Sequence, residues 1–304
     1  MLQICIHFLL GGSVLSDGIE KLNREFIGKE YQIGPQIVDP DSIRQFSLAT
    51  NEKNPRYLNT ESGADIVPPP IYPVVFLPPI LSQLVEDMEE MNLNILRAVH
   101  AEHKMSWREA LRSGDRIHTI AKITNMEQRG INQVLEMQIR CMREDVTVVE
   151  MIYRLIIRGK KTKGKEKPAG VIQAPEKRNV LAKGTSVVTD DQGVRYAQAS
   201  GDHNPIHTSD EIARSVGLPR AILHGLCTMA LASQVLVDEL LDGDSNRLKS
   251  MEVRFSKPVL LDQSIITKVY DAGIKDSGIH VVYFETRDEK DIPVLVNGIA
   301  EFIE

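Results

Sequence analysis

The amino-acid sequence predicts an α+β protein of two tandem units, each an antiparallel sheet wrapped around one long central helix. The first observation behind this is an internal repeat. FSLATNEKNPRY (46–57) lies without gaps on YAQASGDHNPIH (196–207), WREALRSGDRI (107–117) lies on FSKPVLLDQSI (255–265), and Gly130 falls on Gly278. The offset is 150 residues at the first anchor and 148 at the other two, a spacing steady enough to mark duplication followed by divergence. The second observation is an apolar stretch of helical length in each copy, at 73–91 and 222–241. In the later one Met229, Leu231, Val235, Val237, Leu240 and Leu241 are dense enough for a mostly buried helix. The third is the run of segments after that helix. SMEVRF, SIITKVYDAG, GIHVVYFETRD and PVLVNGIAEFI are rich in Val, Ile, Tyr and Phe and are separated by Gly-containing turns, so they read as strands. A helix succeeded by several antiparallel strands buries its apolar surface inside a wrapping sheet.

In chain order, residues 1–27 are expected to form an N-terminal extension. MLQICIHFLLGGSVLS has no Lys or Arg before its apolar run and is interrupted by His7 and Gly11-Gly12, so it makes a poor export leader. Residues 28–158 form the first unit. Its helical stretch holds Pro73, Pro78 and Pro79, and interior prolines remove backbone donors. That helix is expected to start late or to kink, leaving room for a larger ligand. Residues 159–172 are a linker, because GKKTKGKEKPAG is Lys/Gly-rich and lacks large apolar side chains. Residues 173–304 form the second unit.

With 304 residues and 42% hydrophobic composition, the chain can bury two ordinary cores. A net charge of −6 argues against a nucleic-acid partner, and no apolar run is long enough to span a bilayer. Three widely spaced cysteines, with no CxxC pair, argue against a disulfide framework or a structural zinc site; a cytoplasmic protein is the expectation.

Chemistry concentrates at 200–225, SGDHNPIHTSDEIARSVGLPRAILHG. The pattern Tyr196-Ala-x-x-Ser200-Gly201-Asp202-x-Asn204-Pro205-Ile206-His207, then Ala213, Gly217-Leu218 and Ile222-x-His224-Gly225, resembles the R-specific (type 2) enoyl-CoA hydratase motif of the MaoC-like family. VRFSKPV at 253–259 resembles that family's second signature, which often continues PVxPGD, whereas this chain has PVLLDQS. The resemblance is strong over 183–304, and 28–158 is similar to the degenerate first half of double-hotdog members. It implies a double hotdog with the site in the second half and an acyl-CoA substrate. It implies no metal and no cofactor beyond the coenzyme A carried by the substrate, and it leaves a homodimer of the two-unit chain open.

Hydrating a conjugated thioester takes a base for water, an acid for the α-carbon and donors for the enolate oxygen. Asp202 and His207 can both reach one water if the loop turns them inward. Which of the two is the base stays open, because coupled groups share protons. Gly225, at the start of the helix, can offer its N–H to the thioester oxygen. Asn204 is expected to fix the loop as an Asx-turn, with Ser200 and Gly201 supporting it. His203 is expected to face solvent, His224 to donate a loop-fixing hydrogen bond, and Cys227 to be a small buried residue. A metal set from His203, His207, His224 and Cys227 has ligand spacing only at His224-x-x-Cys227, which is weak. In the first copy Glu52, Tyr57 and Pro73-Val74 replace Asp202, His207 and His224-Gly225, so that half is expected to be silent and to supply the other wall of the cleft. Two other functions fit a hotdog fold. A thioesterase would attack the carbonyl carbon, and a non-catalytic subunit would only bind thioesters.

Overall fold

The computed structural model describes residues 21–58, 66–159 and 179–304. Most of the expected N-terminal extension and almost all of the expected linker lie outside these residues. The first half runs β1 (Glu30–Ile37), α1 (Pro40–Ala49), α2 (Leu77–Asp87), β2 (Ala98–Trp107), β3 (Arg116–Arg129), β4 (Asn132–Arg143) and β5 (Val146–Ile157). The second runs β6 (Val180–Val188), α3 (Gln192–Ser200), α4 (Asp210–Ser215), α5 (Gly225–Leu240), β7 (Leu248–Phe255), β8 (Gln263–Ile274), β9 (His280–Asp288) and β10 (Pro293–Phe302).

All ten strands join one antiparallel sheet in the order β1-β3-β4-β5-β2-β7-β10-β9-β8-β6. The order is a palindrome: each half contributes five strands in mirrored sequence, and β2 meets β7 in the middle. Lys104 lies opposite Glu252 in that central pair. These two are also counterparts at the 148-residue offset, so a pseudo-twofold axis passes between them. The same axis passes between another pair of counterparts, Phe46 on α1 and Tyr196 on α3, whose ring centroids are 5.6 Å apart.

The repeat extends to backbone conformation. Asn51 and Gly201, the αL positions after α1 and α3, have φ of 56° and 77°. Gly114 and Asp262, also counterparts, have φ of 84° and 60°. Asp is among the few side chains that tolerate this region, so PVLLDQS makes a left-handed turn even though it departs from the family pattern.

Both central helices start later than their apolar stretches. α5 begins at Gly225, where the sequence placed the helix N-terminus, although the apolar stretch opens at 222, because the Ile222 N–H donates to the Ile206 carbonyl (3.2 Å) and the Leu223 N–H to the Val259 carbonyl (2.8 Å). Those bonds hold the chain extended before it coils. In the first half the stretch 73–91 is a 3-10 turn, Tyr72–Phe76, succeeded by α2. Pro78 and Pro79 therefore sit in the first helical turn, where a missing N–H costs nothing, and the helix starts late. Its 11 residues compare with 16 in α5. The short helices α1 and α3 add to the elements expected from the sequence. Asp39 before Pro40 is a helix-start signal: the Asp39 carboxylate accepts the Ser42 N–H at 2.9 Å.

The core lies between the concave sheet and the helices. α5 is apolar on almost every face and is buried from Cys227 to Val237 except at Gln234. The Gln234 amide instead crosses the seam to donate to the Thr50 carbonyl (2.8 Å). Phe46 is fully buried and touches Tyr72 as well as Tyr196. Phe46→Ala is expected to cost about 3–5 kcal/mol in urea denaturation, because it opens a cavity on the pseudo-twofold axis where both halves pack.

Candidate active site

The loop after α3 is built from short polar contacts. The Ser200 hydroxyl donates to the Tyr196 carbonyl (2.7 Å) and accepts the Asp202 N–H (3.2 Å). Gly201 supplies the left-handed turn between them, and a side chain there would crowd Pro78 of the first half. The Asp202 carboxylate accepts the Asn204 N–H at 3.1 Å. The Asn204 side chain accepts the Ile206 N–H at 3.4 Å and caps a 3-10 turn, Pro205–His207, which is the Asx geometry expected from the sequence. Gly193 on α3 faces this turn so closely that a β-carbon would lie 2.4 Å from the His207 carbonyl oxygen.

The turn directs His207 inward. Its Nδ1 lies 2.8 Å from the Ile222 carbonyl oxygen. A carbonyl only accepts, so Nδ1 carries the proton and the neutral ring keeps its lone pair on Nε2. His224 Nε2 likewise donates to the Asp202 main-chain carbonyl (3.0 Å), the loop-fixing bond expected of it. The two imidazoles stack, with centroids 3.7 Å apart and planes 26° from parallel. Asp202, His207 and His224 present side-chain donor atoms within 4.8 Å of one another. His203 is exposed and Cys227 is fully buried.

Asp202, His207 and His224 have the composition of a metal set, and it is not the set suggested by the His224-x-x-Cys227 spacing. Their geometry suits it poorly. Metal–imidazole bonds lie in the ring plane at about 2 Å. Two nearly parallel rings stacked 3.7 Å apart do not aim both lone pairs at one ion.

Burial lowers the pKa of His207, opposed by the Asp202 carboxylate and by the bond to Ile222. Burial lowers His224 further, with His207 and His203 adding to the effect. Both rings are neutral at pH 7. Gly225 opens α5 with no side chain among the described residues capping the helix, so its N–H can serve a ligand. A β-carbon at Gly225 would lie 3.1 Å from the Phe255 ring. The first half faces this region. Pro78 abuts Gly201, and the His100 ring lies 4.8 Å from Phe255.

The counterpart site in the first half is different. Glu52 turns its carboxylate onto the Lys53 and Asn54 N–H groups (2.9 and 3.0 Å), and burial raises its pKa. The Tyr57 hydroxyl is enclosed beside Ser245, and burial raises its pKa.

Two helix-wrapping half-sheets merged edge to edge, with one Asp/His-bearing loop at their seam, define a double-hotdog protein. The second half matches the MaoC like domain over residues 171–291, and the first matches the FAS1-like dehydratase domain region over 25–151. A crystal structure of a MaoC-like dehydratase from Phytophthora capsici superposes with a TM-score of 0.80 at 24% identity, covering 94% of this chain and 98% of that one. The probable enoyl-CoA hydratase 2 of Dictyostelium discoideum is 28% identical over 73% of this chain and 75% of its own length. The peroxisomal multifunctional enzyme type 2 of Mus musculus is 24% identical over 83% of this chain but only 34% of its own length. The second half therefore carries a MaoC like domain, and the first half is similar to the FAS1-like dehydratase domain region.

His207 and His224 are held neutral in the folded state by burial, while in the unfolded chain they titrate near the ordinary value of 6.5. Their lowered folded pKa values mean that the unfolded state binds protons first as pH falls. Stability is therefore complete above pH ~6.5 and declines below it. The urea midpoint is expected to be lower at pH 5.5 than at pH 7.5, and replacing His224 with Phe should flatten that dependence.

Proposed function

We propose that this chain hydrates trans-2-enoyl thioesters reversibly to (R)-3-hydroxyacyl thioesters, with coenzyme A as the carrier. The single observation behind this is the arrangement at the seam: a neutral His207 with its lone pair on Nε2, beside the Asp202 carboxylate, near the Gly225 N–H at a helix N-terminus. The names of the relatives, enoyl-CoA hydratase 2 and 3-hydroxyacyl-thioester dehydratase, support the same reading.

In this mechanism one water sits between Asp202 and His207. One member of the pair takes a proton as the water oxygen bonds to the β-carbon. The π electrons move to the thioester oxygen, where the Gly225 N–H stabilises the developing charge. The α-carbon then takes a proton from the pair, which returns to its starting state, so no net proton is consumed. Ser200, Gly201 and Asn204 hold the loop, and His224 holds Asp202 through its main-chain carbonyl.

Crotonyl-CoA tests the reading. Enoyl absorbance should fall with the thioester intact; release of free thiol would mean hydrolysis instead. Asp202→Asn should lower turnover by about 10²–10⁴-fold with the fold retained. Gly225→Ala should also impair it, because the added methyl meets Phe255. Unchanged turnover in Asp202→Asn would remove that residue from the mechanism and favour a subunit that only binds thioesters.

The late start of α2 bears on acyl length. The 3-10 turn Tyr72–Phe76 takes the place of the first helical turn, where the counterpart α5 has already coiled. We read this as space for a longer acyl chain. A panel of enoyl-CoAs from C4 to C16 should show kcat/KM rising beyond C4; a flat or falling profile would refute it.

A further inference from the structure

The first half carries a polar cluster that its pseudo-symmetric counterpart lacks. A bulge at Ala101 shifts the register of β2 against β5, so His100 and His103, three residues apart, turn to the same face of the sheet. Their rings lie 5.3 Å apart, edge to face. Tyr153 on β5, directly opposite His103, stacks on His100 at 3.8 Å and meets His103 edge-on at 5.9 Å. The chain of contacts continues into the second half. His100 meets Phe255, whose ring bounds Gly225.

At the 148-residue offset His100 corresponds to Leu248 and His103 to Met251, and the residue paired with Met251 is Ala300. All three are buried and apolar. The polar trio reaches the second-half site through His100, Phe255 and Gly225, while the apolar trio takes the equivalent place in the second half's own sheet. Packing alone does not explain the difference. Nε2 of His100 and both ring nitrogens of His103 are enclosed without hydrogen-bond partners among the described residues, an arrangement that costs stability. Burial keeps both imidazoles neutral, His103 down to about 3. Burial and the nearby Asp202 carboxylate push the Tyr153 phenol up, so it remains a donor.

Building on the hydratase reading, we propose that Tyr153, aimed by His100 and His103, is a positioning residue of the second-half site. Its hydroxyl dipole, through one bridging water, orients the Asp202 carboxylate across the seam. The half that lacks the dyad thus supplies a polar group to the half that has it.

Tyr153→Phe removes only the oxygen. It should lower kcat on crotonyl-CoA by roughly 10- to 100-fold, the effect of one hydrogen bond to a charged group, with KM within about twofold and the melting temperature unchanged. His100→Leu, which installs the counterpart residue, should lower kcat in the same way. His100→Phe keeps a ring for Tyr153 to stack on and should restore most of it. A kcat for Tyr153→Phe within about twofold of wild type would overturn the proposal. A second readout does not depend on turnover. In protein labelled with ¹³C at the tyrosine ζ-carbon, the Tyr153 signal should shift in Asp202→Asn, and an unmoved signal would also overturn it. Failure of the wild-type chain to hydrate any enoyl-CoA would sink the hydratase reading instead, and the ¹³C result would then decide the Tyr153–Asp202 coupling by itself.

Discussion

The antiparallel pairing of β2 with β7 is the contact that organises the whole architecture. Without it each half-sheet would end in an exposed edge of unpaired N–H and C=O groups. With it, ten strands form one continuous concave surface, and α2 and α5 both find an apolar bed. The pairing also sets the distance between the halves. The Asp202 loop comes against Pro78, and Phe255 comes against His100. The seam is held further by polar groups from both sides. Arg195 donates to the Leu48 carbonyl and the Asn51 side chain, and the Gln192 amide donates to the Ala49 carbonyl.

A second constraint acts at the site itself. Buried imidazoles are costly when charged and costly when unpaired. His207 and His224 avoid both costs on one side of the ring, each donating a proton to a main-chain carbonyl and remaining neutral. The carbonyls are fixed by the fold: Ile222 by its own N–H bond to Ile206, and Asp202 by the Ser200 hydroxyl. The tautomer of His207, on which its ability to accept a proton depends, is therefore a consequence of backbone geometry.

Duplication explains why such a site occurs only once among the described residues. The two halves keep the same strand order, the same left-handed turns and the same Asn-Pro corner, with Asn54 and Asn204 each capping a 3-10 turn. They diverge in the groups those elements carry. In the first half Glu52 folds back onto its own loop, which satisfies the carboxylate locally. The halves diverge on the sheet face as well, where His100, His103 and Tyr153 stand in the places that the second half gives to Leu248, Met251 and Ala300.

Local physics and the repeat were legible from the order of residues. The two-unit plan is written in counterpart residues about 150 apart, the Asx-turn in Asn204-Pro205, and the buried helix in the density of apolar side chains from Cys227 to Val237. Even the left-handed turn at Asp262 is implicit in its alignment with Gly114. The extended entry to α5 is different, because the bonds that hold Ile222 and Leu223 come from Ile206 and Val259, and those exist once the chain has folded. The same holds for the choice of His207 nitrogen that keeps the proton, since it depends on a carbonyl 15 residues away. The first half's polar wall was illegible for this reason too. His100 and Tyr153 are ordinary strand residues until β2 pairs with β5 and brings them together, and His100 reaches Phe255 only when β2 also pairs with β7; no periodicity or spacing reports contacts made between strands so far apart in the chain.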